Sequence, residues 1–246
     1  MPAPHMLPVE MHVEAAGQRY RQTQSFTYLG GVITECPDVS TELARRSSAC
    51  WMRIRRYQQE LYDRPNVPLN LKIRMVKAET VEALLYGCVT WTTRQEHYRK
   101  LRTIHHRVLL RIIGARRRRS DHRILSYNRA LELTGCESIE ATLRARRLLW
   151  AGALTRMDDG RLPKRVMFGT IKDGVKKGRG GQEKEWVACV ESDVRSFKIQ
   201  QNWKHAAQDA QRWTETVTEG GRRFMTEWRK EEGEKSKSRR EKRTAK

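Results

Sequence analysis

Apolar side chains in this sequence recur at alternating intervals of four and three residues in one segment after another, a period that only amphipathic helices packed face to face can bury. After Pro37, the residues Leu43, Ser47, Cys50, Ile54, Tyr57 and Leu61 form one such stripe, with Asp38 and Ser40 placed to accept the first backbone N–H groups. This helix should stop before Pro65, which disfavours helical geometry in the residue ahead of it, and Pro68 should open the next. Leu69, Ile73, Val76, Thr80, Ala83 and Leu84 continue the pattern up to a stop at Gly87. Tyr98, Leu101, His105, Val108 and Ile112 repeat it up to Gly114. Three helices with short connections predict a small bundle.

The flanking segments read differently. From Met11 to Thr34, aromatic and β-branched residues separated by Gly17 and by the pair Gly30-Gly31 give a strand and hairpin signal. Beyond the bundle, 120–133 reads as a short helix, and Ser138 caps a longer one through Ile139, Leu143, Arg147, Trp150, Leu154 and Met157. Glycines and lysines then crowd 158–184, which reads as a flexible basic linker, and Trp186, Val190, Val194 and Phe197 restore a helical period. The expected class is mainly α. A disordered start (1–10) precedes a β-hairpin (11–37), a helical bundle (38–119), further helices (120–157), the linker, C-terminal helices (185–228) and a disordered charged tail (229–246).

Charge narrows the function. The chain of 246 residues carries 50 Lys and Arg against 29 Asp and Glu, a formal net charge of +21. Such an excess makes a polyanion the natural partner, because cations that neutralise phosphates release condensed counterions. Arginines outnumber lysines by 35 to 15, and the guanidinium fork suits phosphate contact and stacking. RNA and DNA both satisfy this reading. No run approaches the ~20 apolar residues that cross a bilayer, so no membrane partner is expected, and the start of the chain lacks the apolar core of a signal peptide. Five widely spaced cysteines read as reduced thiols, and an intracellular, nuclear location is expected.

The densest basic run, Arg116, Arg117, Arg118 and Arg119, is the main candidate contact, extended by Arg123 after it and by Arg107 and Arg111 on the helix before it. A solvated loop or an import signal is the plainer reading of the same run. Arg53, Arg55 and Arg56, beside Trp51 and Tyr57, combine backbone contact with stacking, although Tyr57 falls on the apolar stripe, and Lys72 projects from the second helix. The short element Gly178-Arg179-Gly180-Gly181 suits RNA binding or a plain linker equally. No nucleotide-binding, nucleophile-elbow or zinc-protease motif occurs, His105 reads as a core histidine, Asp158-Asp159 reads as a turn, and no cofactor or metal is expected.

Three phrases follow one another in the chain: Ser25-Phe26-Thr27-Tyr28-Leu29-Gly30-Gly31, then Leu84-Leu85-Tyr86-Gly87-Cys88-Val89-Thr90-Trp91, then Trp150-Ala151-Gly152-Ala153-Leu154-Thr155-Arg156-Met157. Together they resemble the C-terminal part of reverse transcriptases from non-LTR (LINE-type) retrotransposons. The resemblance implies that Phe26, Tyr28, Leu29 and Gly30 form a primer-grip-like hairpin derived from the palm, and that 38–114 is a thumb that holds a template–primer duplex. In that family the palm carboxylates that bind Mg²⁺ lie ahead of the hairpin, so the chain is expected not to be an enzyme by itself, and a separate catalytic polymerase chain is an implied partner. Ala153 stands where the family often has His, and Gly178 to Trp186 departs from the family's next basic run. The alternative is a degenerate or domesticated interaction protein whose basic face serves acidic partners.

Overall fold

Helices dominate the computed structural model, which describes residues 13–34, 39–114, 125–168, 185–200 and 202–244. Two antiparallel hairpins come first: β1 (Val13–Ala15) with β2 (Gln18–Tyr20), and β3 (Ser25–Tyr28) with β4 (Gly31–Thr34). Each turns through two residues with positive φ, Ala16 and Gly17 in the first and Leu29 and Gly30 in the second. That backbone twist matches the strands on either side, and glycine adopts it without steric cost. The turn thus centres on Leu29-Gly30, and Gly31 opens β4 opposite Tyr28.

Helix α1 (Val39–Arg56) buries Leu43, Cys50 and Ile54 as its stripe requires. A π-helical turn, Gln58–Tyr62, follows and swings Tyr62 into the core, while Leu61 stays only partly covered. Helix α2 (Leu69–Met75) runs through a π-helical stretch, Val76–Val81, into the single turn α3 (Glu82–Leu84), and Gly87 in the left-handed conformation ends the run. Helix α4 (Gln95–Ile113) buries Tyr98, Leu101, His105, Val108 and Ile112. Ser126 caps α5 (Tyr127–Thr134) and Ser138 caps α6 (Ile139–Thr155), each accepting a backbone N–H from three residues on at 3.2 and 3.1 Å.

Two apolar cores share one helix. The first gathers α1 to α5 and the start of α6. The second gathers the end of α6 with α8 (Trp186–Ser196), α9 (Trp203–Ala206) and α10 (Ala210–Thr244). Between α6 and α8 lies α7 (Leu162–Phe168). Phe224 of α10 packs against both cores.

Two expectations about order are corrected. The segment read as a flexible linker contains α7, because Lys164 donates to the carbonyls of Thr155 and Met157 at 3.1 and 2.7 Å and pins the turn that starts it. The tail read as disordered continues α10 to Thr244. Lys, Arg and Glu are good helix formers and no proline interrupts them, and Lys235 lies 3.7 Å from Glu231 and 3.3 Å from Glu232, one helical turn away. The expected disorder of 1–10 falls outside the described residues, as does the remainder of the linker, with Gly178-Arg179-Gly180-Gly181.

Candidate nucleic-acid interface

The first two of the three phrases meet in space. At the β3–β4 turn, Tyr86 Oη donates to the Leu29 carbonyl at 2.7 Å, and Arg46 donates to the Gly30 carbonyl. Arg46 also stacks 4.5 Å over the Tyr86 ring, while its Nε meets Glu42 Oε1 at 2.5 Å. Glu42, one turn earlier on α1, accepts the Val32 N–H at 2.9 Å through its other oxygen. The hairpin is therefore latched to α1 and to the end of α3 by one ion pair that spends both partners on backbone groups. Sequence reasoning missed Glu42 and Arg46, although their i, i+4 spacing was visible. Phe26, Tyr28 and Leu29 are exposed, Tyr28 by 60% and Leu29 by 76%.

The helix that carries the third phrase, α6, meets the end of the second through a sealed polar network. Arg147, 1% exposed, donates from Nε to Asp193 at 2.7 Å, from Nη1 to the Trp91 carbonyl at 2.7 Å and to Thr93 at 3.1 Å, and from Nη2 to Tyr98 Oη at 2.8 Å. Arg144 reaches the other Asp193 oxygen at 2.5 Å and Glu140 at 2.9 Å, with its guanidinium 4.8 Å over the Tyr98 ring. Burial alone would weaken the Arg147 charge, but Asp193, aided by the Tyr98 oxygen, holds its pKa above the ordinary value. Both guanidiniums and both Asp193 oxygens are satisfied and shut from water, so this network fixes α6 and α8 against the Trp91 loop. Gly152 shows why the third phrase needs a glycine. A Cβ there would overlap Trp213 Nε1 and Cδ1, and that Nε1 donates to the Leu148 carbonyl at 2.9 Å.

The candidate cations separate into spent and free. Lys72 is corrected from a phosphate contact to a buried anchor: it is 7% exposed and donates to the carbonyls of Tyr62 and Arg64 at 3.0 and 2.7 Å, closing the bend between α1 and α2. Arg53 pairs with Glu79 at 3.4 Å, Arg111 pairs with Asp63 at 3.1 Å, and Arg56 covers the Tyr57 ring at 5.5 Å. Trp51 and Tyr57 pack against the first core. Arg55 and Arg107 are exposed and form no ion pair among the described residues. Arg116, Arg117, Arg118, Arg119 and Arg123 lie outside the described residues.

Helices α1 and α4 run side by side in the same direction. Ser40 lies 3.3 Å from His97 at their starts, and Arg111 meets Asp63 just beyond the end of α1. Arg55 of α1 and Arg107 of α4 are exposed, and two further exposed cations, Arg99 and Lys100, line the groove between the helices. Sequence reasoning passed over Arg99 and Lys100 because neither belongs to a basic run.

The remaining polar groups carry structural roles. His105 lies 2.8 Å from the Tyr127 hydroxyl, and burial, reinforced by neighbouring His106, pushes its pKa down to about 4. Asp158 and Asp159 sit in the exposed turn after α6, with Asp159 2.8 Å from Lys164. Cys50, Cys88, Cys136 and Cys189 are buried free thiols, and burial raises Cys50 to about 12 and Cys88 to about 11. Among the described residues no three His, Cys, Asp or Glu side chains gather as a metal site, and no helix is long and apolar enough to cross a membrane. Comparison with protein-family models, curated proteins and solved structures finds no match.

Proposed function

We propose that this chain binds the phosphate backbone of nucleic acid, largely without regard to sequence, on the outer face of α1 and α4. One observation carries the reading: Arg99 and Lys100 line the groove between α1 and α4, and Arg55 and Arg107 are exposed on the same two helices, all four without a carboxylate partner among the described residues. Elsewhere, Arg46, Arg144 and Arg147 are consumed in internal contacts. Unpaired guanidiniums and ammoniums on a chain of net charge +21 gain by displacing counterions from a polyanion. The basic run 116–119 follows α4 in the chain and lies outside the described residues.

We further propose that the chain is related to the hairpin, thumb and post-thumb region of a LINE-type reverse transcriptase. Supporting this, the first two phrases share a contact, Leu29 with Tyr86, and Trp91 of the second is held by Arg147 on the helix that carries the third. In this proposal the chain grips nucleic acid, and no residue is assigned to catalysis.

The test is binding of the purified chain to labelled duplex, RNA–DNA hybrid and single strands across a salt series. Affinity should fall log-linearly with salt, with a slope of about 0.7 to 0.9 per phosphate neutralised, and Arg55→Ala with Arg107→Ala should lower that slope. No binding at low salt, or a flat salt response, would sink the proposal.

A further inference from the structure

The first halves of α1 and α4 leave an open groove of about 460 Å³ between them. Its floor is apolar, formed by Leu43, Ala44 and Ile104. Along the α4 side stand Arg99 and Lys100, both exposed and without an ion-pair partner among the described residues. The α1 wall carries only methyl and hydroxyl groups, including Ser47, and no carboxylate lines any part of the groove. The groove therefore offers apolar and hydroxyl groups along α1 and cations along α4.

We propose that this groove seats one unpaired strand of nucleic acid, with bases resting on Leu43, Ala44 and Ile104 and phosphates on Arg99 and Lys100. The inference rests on the nucleic-acid reading above and names the form of the partner. A duplex keeps its bases stacked inside and offers phosphates on both flanks, so it cannot use the floor, and its second row of phosphates meets a wall without cations. A single strand presents base faces on one side and phosphates on the other, and apolar side chains accept an unstacked base face. The Thr103 hydroxyl, which donates to the Arg99 carbonyl at 2.9 Å, keeps lone pairs free for a base edge. Helical spacing continues the track along α4: Arg107 stands one turn beyond Thr103 and is exposed.

The test uses the full chain and fluorescence anisotropy with a labelled oligothymidylate, a labelled duplex of the same length, and poly-glutamate as competitor. Ala44→Phe fills the floor without changing charge, and because Ala44 is exposed the fold should be unaffected, as thermal unfolding will report. Ala44→Phe should weaken oligothymidylate binding about tenfold, the worth of losing a base contact, and leave duplex binding unchanged. Arg99→Ala with Lys100→Ala should lower the single-strand salt slope by about 1.4, the share of two phosphates. If Ala44→Phe leaves single-strand binding intact, or harms duplex binding equally, the groove assignment is overturned while the general reading stands. If wild-type protein binds no nucleic acid at low salt, the general reading falls with it. Displacement of oligothymidylate by poly-glutamate at equal charge would show a groove that takes acidic peptide, and would overturn the proposal.

Discussion

Removing the Asp193 carboxylate should cost this fold more than any other single polar change. Asp193 is fully buried and accepts from Arg144 at 2.5 Å and from Arg147 at 2.7 Å. The two arginines differ in what remains to them after Asp193→Ala. Arg144 keeps Glu140, whose Oε1 lies 2.9 Å from Nη2, whereas Arg147 keeps only the neutral oxygens of Trp91, Thr93 and Tyr98. A guanidinium 1% exposed is thereby left without a counter-charge, a situation that typically costs about 3–5 kcal/mol. Set against a total stability of roughly 5–15 kcal/mol, that is a large fraction of what holds the chain folded. Asp193→Asn keeps the shape and one acceptor but loses the charge, so it should fall between wild type and Asp193→Ala. Urea unfolding followed by tryptophan fluorescence measures the change, with an unaltered m value showing that the same surface unfolds. The paired replacement Asp193→Leu with Arg147→Met should recover part of the loss, since an apolar pair needs no counter-charge. A loss below about 1 kcal/mol for Asp193→Ala would refute the reasoning, because it would mean that Arg147 reaches water when released.

Three further outcomes follow from the structure. His105 is held neutral, its pKa pushed down to about 4 from an ordinary 6.5, so stability is complete above pH 6.5 and drains as pH falls towards 4, by about 3 kcal/mol in all. Urea midpoints across that range should show the loss in wild type and not in His105→Gln; an equal loss in both would assign it to other groups. Gly152→Ala drives a methyl group into Trp213, and should cost about 1–3 kcal/mol and shift tryptophan emission as the Leu148 hydrogen bond breaks, whereas unchanged emission and stability would contradict the packing. Lys72→Met should lower stability by about 1–3 kcal/mol with no change in the salt slope of nucleic-acid binding, while Arg107→Ala should do the reverse. Swapped results would return Lys72 to the binding surface.

Stripes such as Leu101, His105, Val108 and Ile112, and stops such as Gly87 and Gly114, were legible because a helix imposes its period and its ends on local sequence, whatever surrounds it. The Ser138 cap was visible for the same reason. So was the hairpin, though the residues of its turn were not, since a non-glycine residue, Leu29, adopts positive φ there.

Which cations are free for a ligand is a different matter, because it depends on partners distant in the chain. Lys72 looked exposed by angle, and was claimed by carbonyls 10 and 8 residues back once the chain bent between α1 and α2. Asp193 gave no local sign of importance, and became the counter-charge for two arginines more than 40 residues away only when α8 packed on α6. Arg99 and Lys100 lie in no basic run, yet the parallel course of α1 and α4 places them beside an apolar floor. Local sequence determined the helices, their buried faces and the overall positive charge. Tertiary packing alone decided which charges are neutralised inside and which remain for a polyanion, because a side chain's pairing is set by what folds against it.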